Sequence, residues 1–349
     1  MTDPLPPLIF AATHGSQSRE AAALRRDARR GHLETLHPGV FVESAAWHAL
    51  DPHARHRLTV HAVMSRLAPG AIASHSSAAV LHGLPSATWP RGPVHVIDPR
   101  RTRTQVSERV VRHAGPVAPG DVVEIDGLLV TSEHRTAIDV ARRASFADAV
   151  LCVDALLRRE ALRAGAFSPG PAAWPPNREQ RRERVEAAAH LTRGVLLGRI
   201  DASRGTRGLV AARRVVEFAT PWAENGGESL CRLALLTVGA PEPLMQVEFY
   251  DGQGLAGRCD FVLGDVALEF DGNVKYDDEA MRGGKGPSAV IRAEKMRERR
   301  VLRTGGVRAI GRCDSDDVAL LAPLASTLRD LGVPLLPRHN ARMWARRQK

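Results

Sequence analysis

Long apolar runs are missing from this 349-residue chain, and so are several patterned motifs. No stretch of about 18 apolar residues occurs, so no membrane-spanning helix is expected. The opening Met1-Thr-Asp-Pro-Leu-Pro-Pro has neither a basic segment nor an apolar one fit for export, and the expected location is the cytoplasm. Cys152, Cys231, Cys259 and Cys313 are dispersed with no Cys-x-x-Cys pair, which argues against a zinc ribbon and for reduced thiols. Gly283-Gly-Lys-Gly286 lacks the Gly-x4-Gly-Lys-Ser/Thr spacing of a phosphate-binding loop. Lysine is scarce: of 49 basic residues only Lys275, Lys285, Lys295 and Lys349 are Lys. A chain this committed to Arg keeps Lys where a compact charge with a tunable pKa is useful. Three of the four follow one acidic segment.

What is present begins with charge. The net charge is +10, which permits binding to nucleic acid. Length predicts two or three domains. Ser16 or Ser18 caps a helix running to Arg30, preceded by another helical segment, and Leu33–Val42 reads as a β-wing turning at Pro38-Gly39. Helix, Arg-rich helix and wing is the plan of a winged helix-turn-helix, with Arg25, Arg26, Arg29 and Arg30 as its DNA-binding candidates. Farther on, a short capped helix over Ser74–Pro85, a strand at Val94–Asp98, a hairpin around Asp126-Gly127 and helices to Arg143 and from Phe146 to Arg159 are predicted. His75, Ser76 and Ser77 read as cap and packing residues, since neighbours on a helix do not face one another.

Gly165–Asn177 is a Pro-rich boundary, followed by a charged helix over Arg178–Leu191, a loop over Gly194–Gly208 and a helix at Leu209–Phe218. The order from Asn225 is regular: helix Glu228–Val238, strands Met245–Tyr250, Arg258–Leu263 and Val266–Phe270, helix Ser288–Thr304, strand Val307–Arg312 and helix Ser315–Leu331.

The central hairpin is Arg258–Asp271, with a turn at Gly264-Asp265 that suits type II′. Its register sets Asp260 opposite Glu269 and places Cys259, Phe261, Leu263, Val266, Leu268 and Phe270 on one apolar face. Asp260, Glu269 and Asp271 share the other face. Directly opposed carboxylates are close enough to chelate one hard cation.

Two resemblances follow. The α-β-β-β-α-β order, with Glu228 on a helix, Asp260-Phe on one strand, Glu269-Phe-Asp271-Gly on the next and Glu294-Lys-Met-Arg-Glu298 on a later helix, resembles the PD-(D/E)XK nucleases over residues 224–330, in the branch of very-short-patch-repair endonucleases. The resemblance implies Mg²⁺- or Mn²⁺-dependent phosphodiester hydrolysis, with Asp260 and Glu269 holding the metal. Glu228 either completes the metal site or positions water, or else simply complements its helix dipole. Asp271 stands where that family has Lys, and Lys275, or second Lys295, is the substitute charge. Glu294, Arg297 and Glu298 are candidates for supporting or DNA contacts.

Arg30-Gly-His-Leu through Pro38-Gly-Val-Phe-Val42, Ser74–Pro85 and Thr131-Ser-Glu-His-Arg-Thr-Ala-Ile-Asp139 resemble AbiEi-type antitoxins over residues 8–160. This implies transcriptional repression and a cognate toxin as partner. The expected architecture is multidomain α+β: a winged helix (1–65), an antitoxin-type middle domain (66–164), a linker with charged helices (165–222), an αβββαβ endonuclease-like domain (223–337) and a basic tail (338–349). Two functions remain, a DNA endonuclease and an antitoxin-like regulator whose nuclease-fold module is inactive or repurposed.

Overall fold

The computed structural model describes residues 4–15, 18–88, 92–168, 178–203, 205–272 and 287–336. Ser16, Lys275, Lys285, the Gly283–Gly286 stretch and the basic tail lie outside them, as does most of the Pro-rich boundary. The fold is mixed α/β, in two compact units: the chain up to Ala144 with Arg207–Ala212, and Ser145–Thr206 with the chain from Arg213 onward. No helix among the described residues is long and apolar enough to cross a membrane.

The first unit opens with β1 (Ile9–Phe10), a 3₁₀ turn over Ala11–His14, α1 (Arg19–Arg29), and the hairpin β2 (Leu33–His37) and β3 (Val40–Glu43). The first helix expected ahead of the Arg-rich one is therefore a strand and a single 3₁₀ turn. Pairing with the wing decides this, since Ile9 lies opposite Phe41 and Phe10 opposite Val40. Ser18 caps α1 by accepting from the Ala21 N–H. The sheet order is β1-β3-β2. Ala11, Ala21 and Phe41 form its small core, with Ile9, Leu24, Ala28 and Leu33 packed around them.

Next come α2 (Ser44–Ala49), α3 (Pro52–Met64), β4 (Ile72–Ala73), α4 (His75–Leu81), β5 (Val94–Ile97), β6 (Gln105–Val106), β7 (Val110–His113), β8 (Val122–Ile125), β9 (Leu128–Thr131) and α5 (Glu133–Arg143). The β strands form a six-stranded mixed sheet in the order β6-β7-β5-β4-β9-β8. Asp126 and Gly127, both at positive φ, make the β8–β9 turn. Val60, Val63, Ala78, Val80, Val94, Val96 and Val130 pack α3 and α4 on the sheet.

The second unit holds α6 (Phe146–Arg163), α7 (Arg178–Ala202), most of α8 (Leu209–Phe218), α9 (Gly226–Thr237), β10 (Leu244–Asp251), β11 (Gly254–Leu263), β12 (Val266–Asp271), α10 (Pro287–Arg303), β13 (Ala309–Asp314), α11 (Ser315–Leu320) and α12 (Ala322–Asp330). The sheet runs β10-β11-β12-β13, with only the β12–β13 pair parallel. The expected loop over 194–208 is helix as far as Ala202. Val185, Ala189, Thr192, Leu196 and Ile200 recur on one buried face, and Gly194 and Gly198 have no neighbour that forbids helix. The expected last helix is two, broken at Leu321 (φ 62) before Pro323.

One face of the sheet packs Phe261, Leu263, Val266 and Leu268 against Cys231 and Leu235 of α9 and Leu324 and Leu328 of α12. The other packs Val262 and Ala267 against Val301 of α10. Fully burying each of these aliphatic side chains contributes about 2 kcal/mol. Cys259 belongs to this second cluster and not, as the strict alternation predicts, with Phe261. Met245 and Val247 divide between the faces in the same way. Both inversions flank the same place: Met245 pairs with Phe261 and Val247 with Cys259, with no ladder pair between Gln246 and Asp260. Gln246 sits at φ 53, and its left-handed backbone turns the pleat over.

Candidate active site

The inverted pleat creates the site. Asn225 caps α9 by accepting from the Glu228 N–H at 3.0 Å, and its own amide donates to Glu228 Oε1 at 2.9 Å. The Glu224 N–H and Gln246 Nε2 both donate to Glu228 Oε2 at 2.9 Å. Gln246 Nε2 also lies 3.5 Å from Asp260 Oδ1. Glu228 is 4% exposed, so its charge is expensive. Burial raises its pKa to about 7, the Glu224 N–H works against that rise, and the nearby Asp260 charge adds to it.

Asp260 does not face Glu269 as a simple rung. The β11–β12 ladder runs from Leu263–Val266 to Phe261–Leu268, and beyond it the Asp260 carboxylate accepts the Phe270 N–H at 3.0 Å. Burial raises the Asp260 pKa against that hydrogen bond. Glu269 is also raised by burial, with Arg297 opposing and Asp260 reinforcing. Arg297 Nη2 donates to Glu269 Oε1 at 3.1 Å and to Glu294 Oε1 at 2.6 Å. Its Nη1 anchors on the Arg258 carbonyl at 3.1 Å. The oxygens of Glu228, Asp260 and Glu269 do not all come within 4.8 Å of one another.

The residue facing this region from α10 is Arg297, not a lysine. Glu294, Arg297, Glu298 and Val301 fall on one stripe at helical spacing, whereas Lys295 lies about 100° away from Glu294 around the axis and is exposed. No hydrogen bond or ion pair joins Lys295 to Glu269 or Asp260. Lys275 lies outside the described residues. Asp271, expected to crowd the other two carboxylates, is half exposed and paired with Arg312 of β13 at 3.3 Å. Arg312 also takes Glu294 and Glu298, each at 2.6 Å. The hydrogen bond from Arg297, with Arg312 beside it, holds the Glu294 pKa down at about 2.

Gln246 is the residue the sequence reading missed. Its Oε1 is buried without a hydrogen-bond partner, beside two carboxylates that its own amide bridges. Such an orphan oxygen is costly to bury and is a hard donor of the kind Mg²⁺ takes. The oxygens of Gln246, Glu228, Asp260 and Glu269 fit that ion by chemistry. Met245-Gln-Val-Glu-Phe249 alternates as an ordinary half-buried strand does, so nothing local singled Gln246 out.

Along edge strand β10 runs a groove of about 560 Å³, lined by Arg178, Arg181 and Arg182 of α7 with Trp222, Gln246 and Glu248 among its other walls. Arg181 pairs with Glu248 at 2.6 Å, and Arg182 lies over the Trp222 ring at 4.2 Å. In the first unit Arg25, Arg26 and Arg29 of α1 and Arg30, its C-cap, are all exposed. Arg25 and Arg29, with Arg66, border a hollow of about 570 Å³ whose floor includes Pro38, Gly39 and Phe41 of the wing.

No protein-family model matches the chain. It is 28% identical over 223 residues to two uncharacterized Mycobacterium tuberculosis proteins, Rv2248 of strain H37Rv and MT2308 of strain CDC 1551. The match spans 64% of this chain and 67% of each relative. Among solved structures, the Rv2827c protein of Mycobacterium tuberculosis matches over 61% of this chain and 77% of its own, with 15% identity and a TM-score of 0.30.

Proposed function

We propose that this protein is a Mg²⁺- or Mn²⁺-dependent DNA endonuclease, acting in phage defence or DNA processing, with α1 and the wing as a winged-helix DNA-binding element. The observation that carries this reading is the Gln246 amide, whose Nε2 bridges Glu228 and Asp260 while its buried Oε1 is left without a hydrogen-bond partner, with Glu269 of the neighbouring strand paired to Arg297. Glu228, Gln246, Asp260 and Glu269 would hold the ion once their side chains draw closer together than they stand here. When bound, Mg²⁺ polarises a phosphoryl oxygen and lowers the pKa of its water.

The chain's own groups do the rest. Glu228, with its pKa raised to about 7, takes up a proton near neutral pH while no cation is bound, and a dication beside it would hold it ionised. The Phe270 N–H orients the Asp260 carboxylate, and the Arg258 carbonyl orients the Arg297 guanidinium. Arg297 supplies a fixed positive charge from α10, where Lys295 does not reach, without the tunable pKa of an ammonium, and Lys275 remains the other candidate for that charge. Arg178, Arg181 and Arg182 along the groove by Gln246 suit the sugar-phosphate backbone of a strand led to the site.

The test is cleavage of supercoiled plasmid by the purified chain with Mg²⁺ or Mn²⁺. Asp260→Ala and Glu269→Ala should abolish nicking while circular dichroism stays unchanged. Equal trace activity in wild type and variants would remove the endonuclease reading.

The exposed arginines of α1, packed beside the wing, favour a second reading: an AbiEi-antitoxin-like transcriptional regulator with a cognate toxin and a repurposed nuclease-fold module. Gel shifts on the protein's own promoter test it, and no preference over random DNA counts against it.

A further inference from the structure

Three histidines meet in the six-stranded sheet, far in sequence from one another and outside everything assigned above. His95 of β5 and His113 at the end of β7 share one face of a parallel pair, because His95 lies opposite Val111 and Ile97 opposite His113. His75, the first residue of α4, completes the group. Its ring stacks on that of His113 with centroids 4.0 Å apart, and its Nδ1 lies 3.0 Å from Ser74 Oγ. His95 Nδ1 stands 2.9 Å from His113 Nε2, and one ligand atom from each of the three lies within 4.8 Å of the others.

From this convergence we propose a transition-metal site formed by His75, His95 and His113, taking Zn²⁺ or an ion of like preference. Neutral imidazoles suit Zn²⁺ far better than Mg²⁺ or Ca²⁺. Zn–N bonds of about 2.0–2.1 Å set tetrahedral ligand nitrogens roughly 3.3 Å apart, longer than the 2.9 Å between His95 and His113 and shorter than the 4.8 Å within which all three ligand atoms lie. Ser74 fixes the outer nitrogen of His75, as partners of ligating histidines commonly do.

His75 is held at φ 52, a left-handed conformation that histidine adopts more readily than most residues and that sets the direction of its ring at the head of α4. Burial keeps all three rings deprotonated at neutral pH, and His113 falls to about 4. Arg142 and Arg143 act on the cluster in the same sense. They keep protons off the lone pairs, and a bound dication must offset them. His95 is only half-buried, which leaves a side open to a fourth ligand. The stacked His75 and His113 rings, 20° from parallel, must rotate for their lone pairs to converge.

The full-length chain, stripped with chelator, is titrated with Zn²⁺ by calorimetry and with Co²⁺ by visible absorption. One tight equivalent of Zn²⁺ per chain is expected, with the intense visible bands of tetrahedral, nitrogen-ligated Co²⁺. His95→Gln and His113→Gln should each weaken Zn²⁺ at least 100-fold. Asp260→Ala should leave this binding unchanged, so the result is independent of the endonuclease reading. The Co²⁺ spectrum of the wild type decides the matter even where a variant misfolds. Absence of tetrahedral bands, or equal binding by wild type and folded His variants, overturns the proposal and makes the 2.9 Å contact an N–H···N bond between neutral rings.

Discussion

Glu228→Gln gives the sharpest test of the electrostatics at the candidate site. The carboxyl titrates near 4.5 when unperturbed and at about 7 in the folded protein. Below 4.5 it is protonated folded or unfolded, and no penalty arises. Between the two values the folded state holds a proton that the unfolded state has released, so stability falls as pH rises. Above 7 both are ionised and the full cost is present, about 3 kcal/mol. Glutamine cannot ionise and keeps one amide oxygen for the Glu224 N–H and Gln246 Nε2, while losing the acceptor for the Asn225 amide, a cost that does not vary with pH. Urea unfolding of wild type and Glu228→Gln, measured from pH 5 to pH 8, should show the variant gaining on the wild type by about 2.5 kcal/mol across that range, the rest of the cost already being present at pH 5. The gain should lie mostly between pH 5 and pH 7. A difference independent of pH would refute the argument that burial strains this carboxylate. Under the endonuclease reading, Mg²⁺ should also stabilise the wild type at pH 8 and do so much less for the variant.

Other perturbations test neighbouring parts. Arg297→Ala strips the cation from Glu269 and should cost about 2 kcal/mol in chemical denaturation, with Arg297→Lys recovering part of it. Gly257→Ala would set a Cβ 2.7 Å from Val301 Cγ2 and 3.2 Å from Arg297 Cγ. It should wedge α10 off the sheet at a cost of about 1–3 kcal/mol, read as a lower thermal midpoint. Asp154→Ala leaves the Thr220 N–H and the Ser229 hydroxyl of the second unit without their buried acceptor and should cost about 2 kcal/mol. Under the winged-helix reading, Arg25→Ala with Arg29→Ala should weaken DNA binding at all sequences and lower the slope of log affinity against log salt by about 2, measured by fluorescence anisotropy.

The order of helices and strands from Asn225 onward was legible because each element carries its own signal. Asn225 and Ser18 are caps, Gly264 permits its turn through φ 65, and the strands alternate where they are regular. The same local rules located Glu228, Asp260 and Glu269 and left Arg25, Arg26, Arg29 and Arg30 at the surface. They failed where a distant partner outweighs local preference. Pairing with the wing made a strand of Ile9–Phe10, and a buried stripe carried α7 through Gly194 and Gly198.

The sequence by itself determined which residues form the C-terminal sheet and which carboxylates it carries. Only the tertiary structure decided how those carboxylates are arranged. A single left-handed residue, Gln246, inverts the pleat of two strands, turns Cys259 toward α10 and leaves a bare oxygen beside Glu228 and Asp260. The choice of Arg297 over Lys295 is likewise a matter of which helix face meets the sheet. His75, His95 and His113 became neighbours only when α4, β5 and β7 packed together. Convergence of residues so far apart in the chain is set by packing and register, which no short-range pattern encodes.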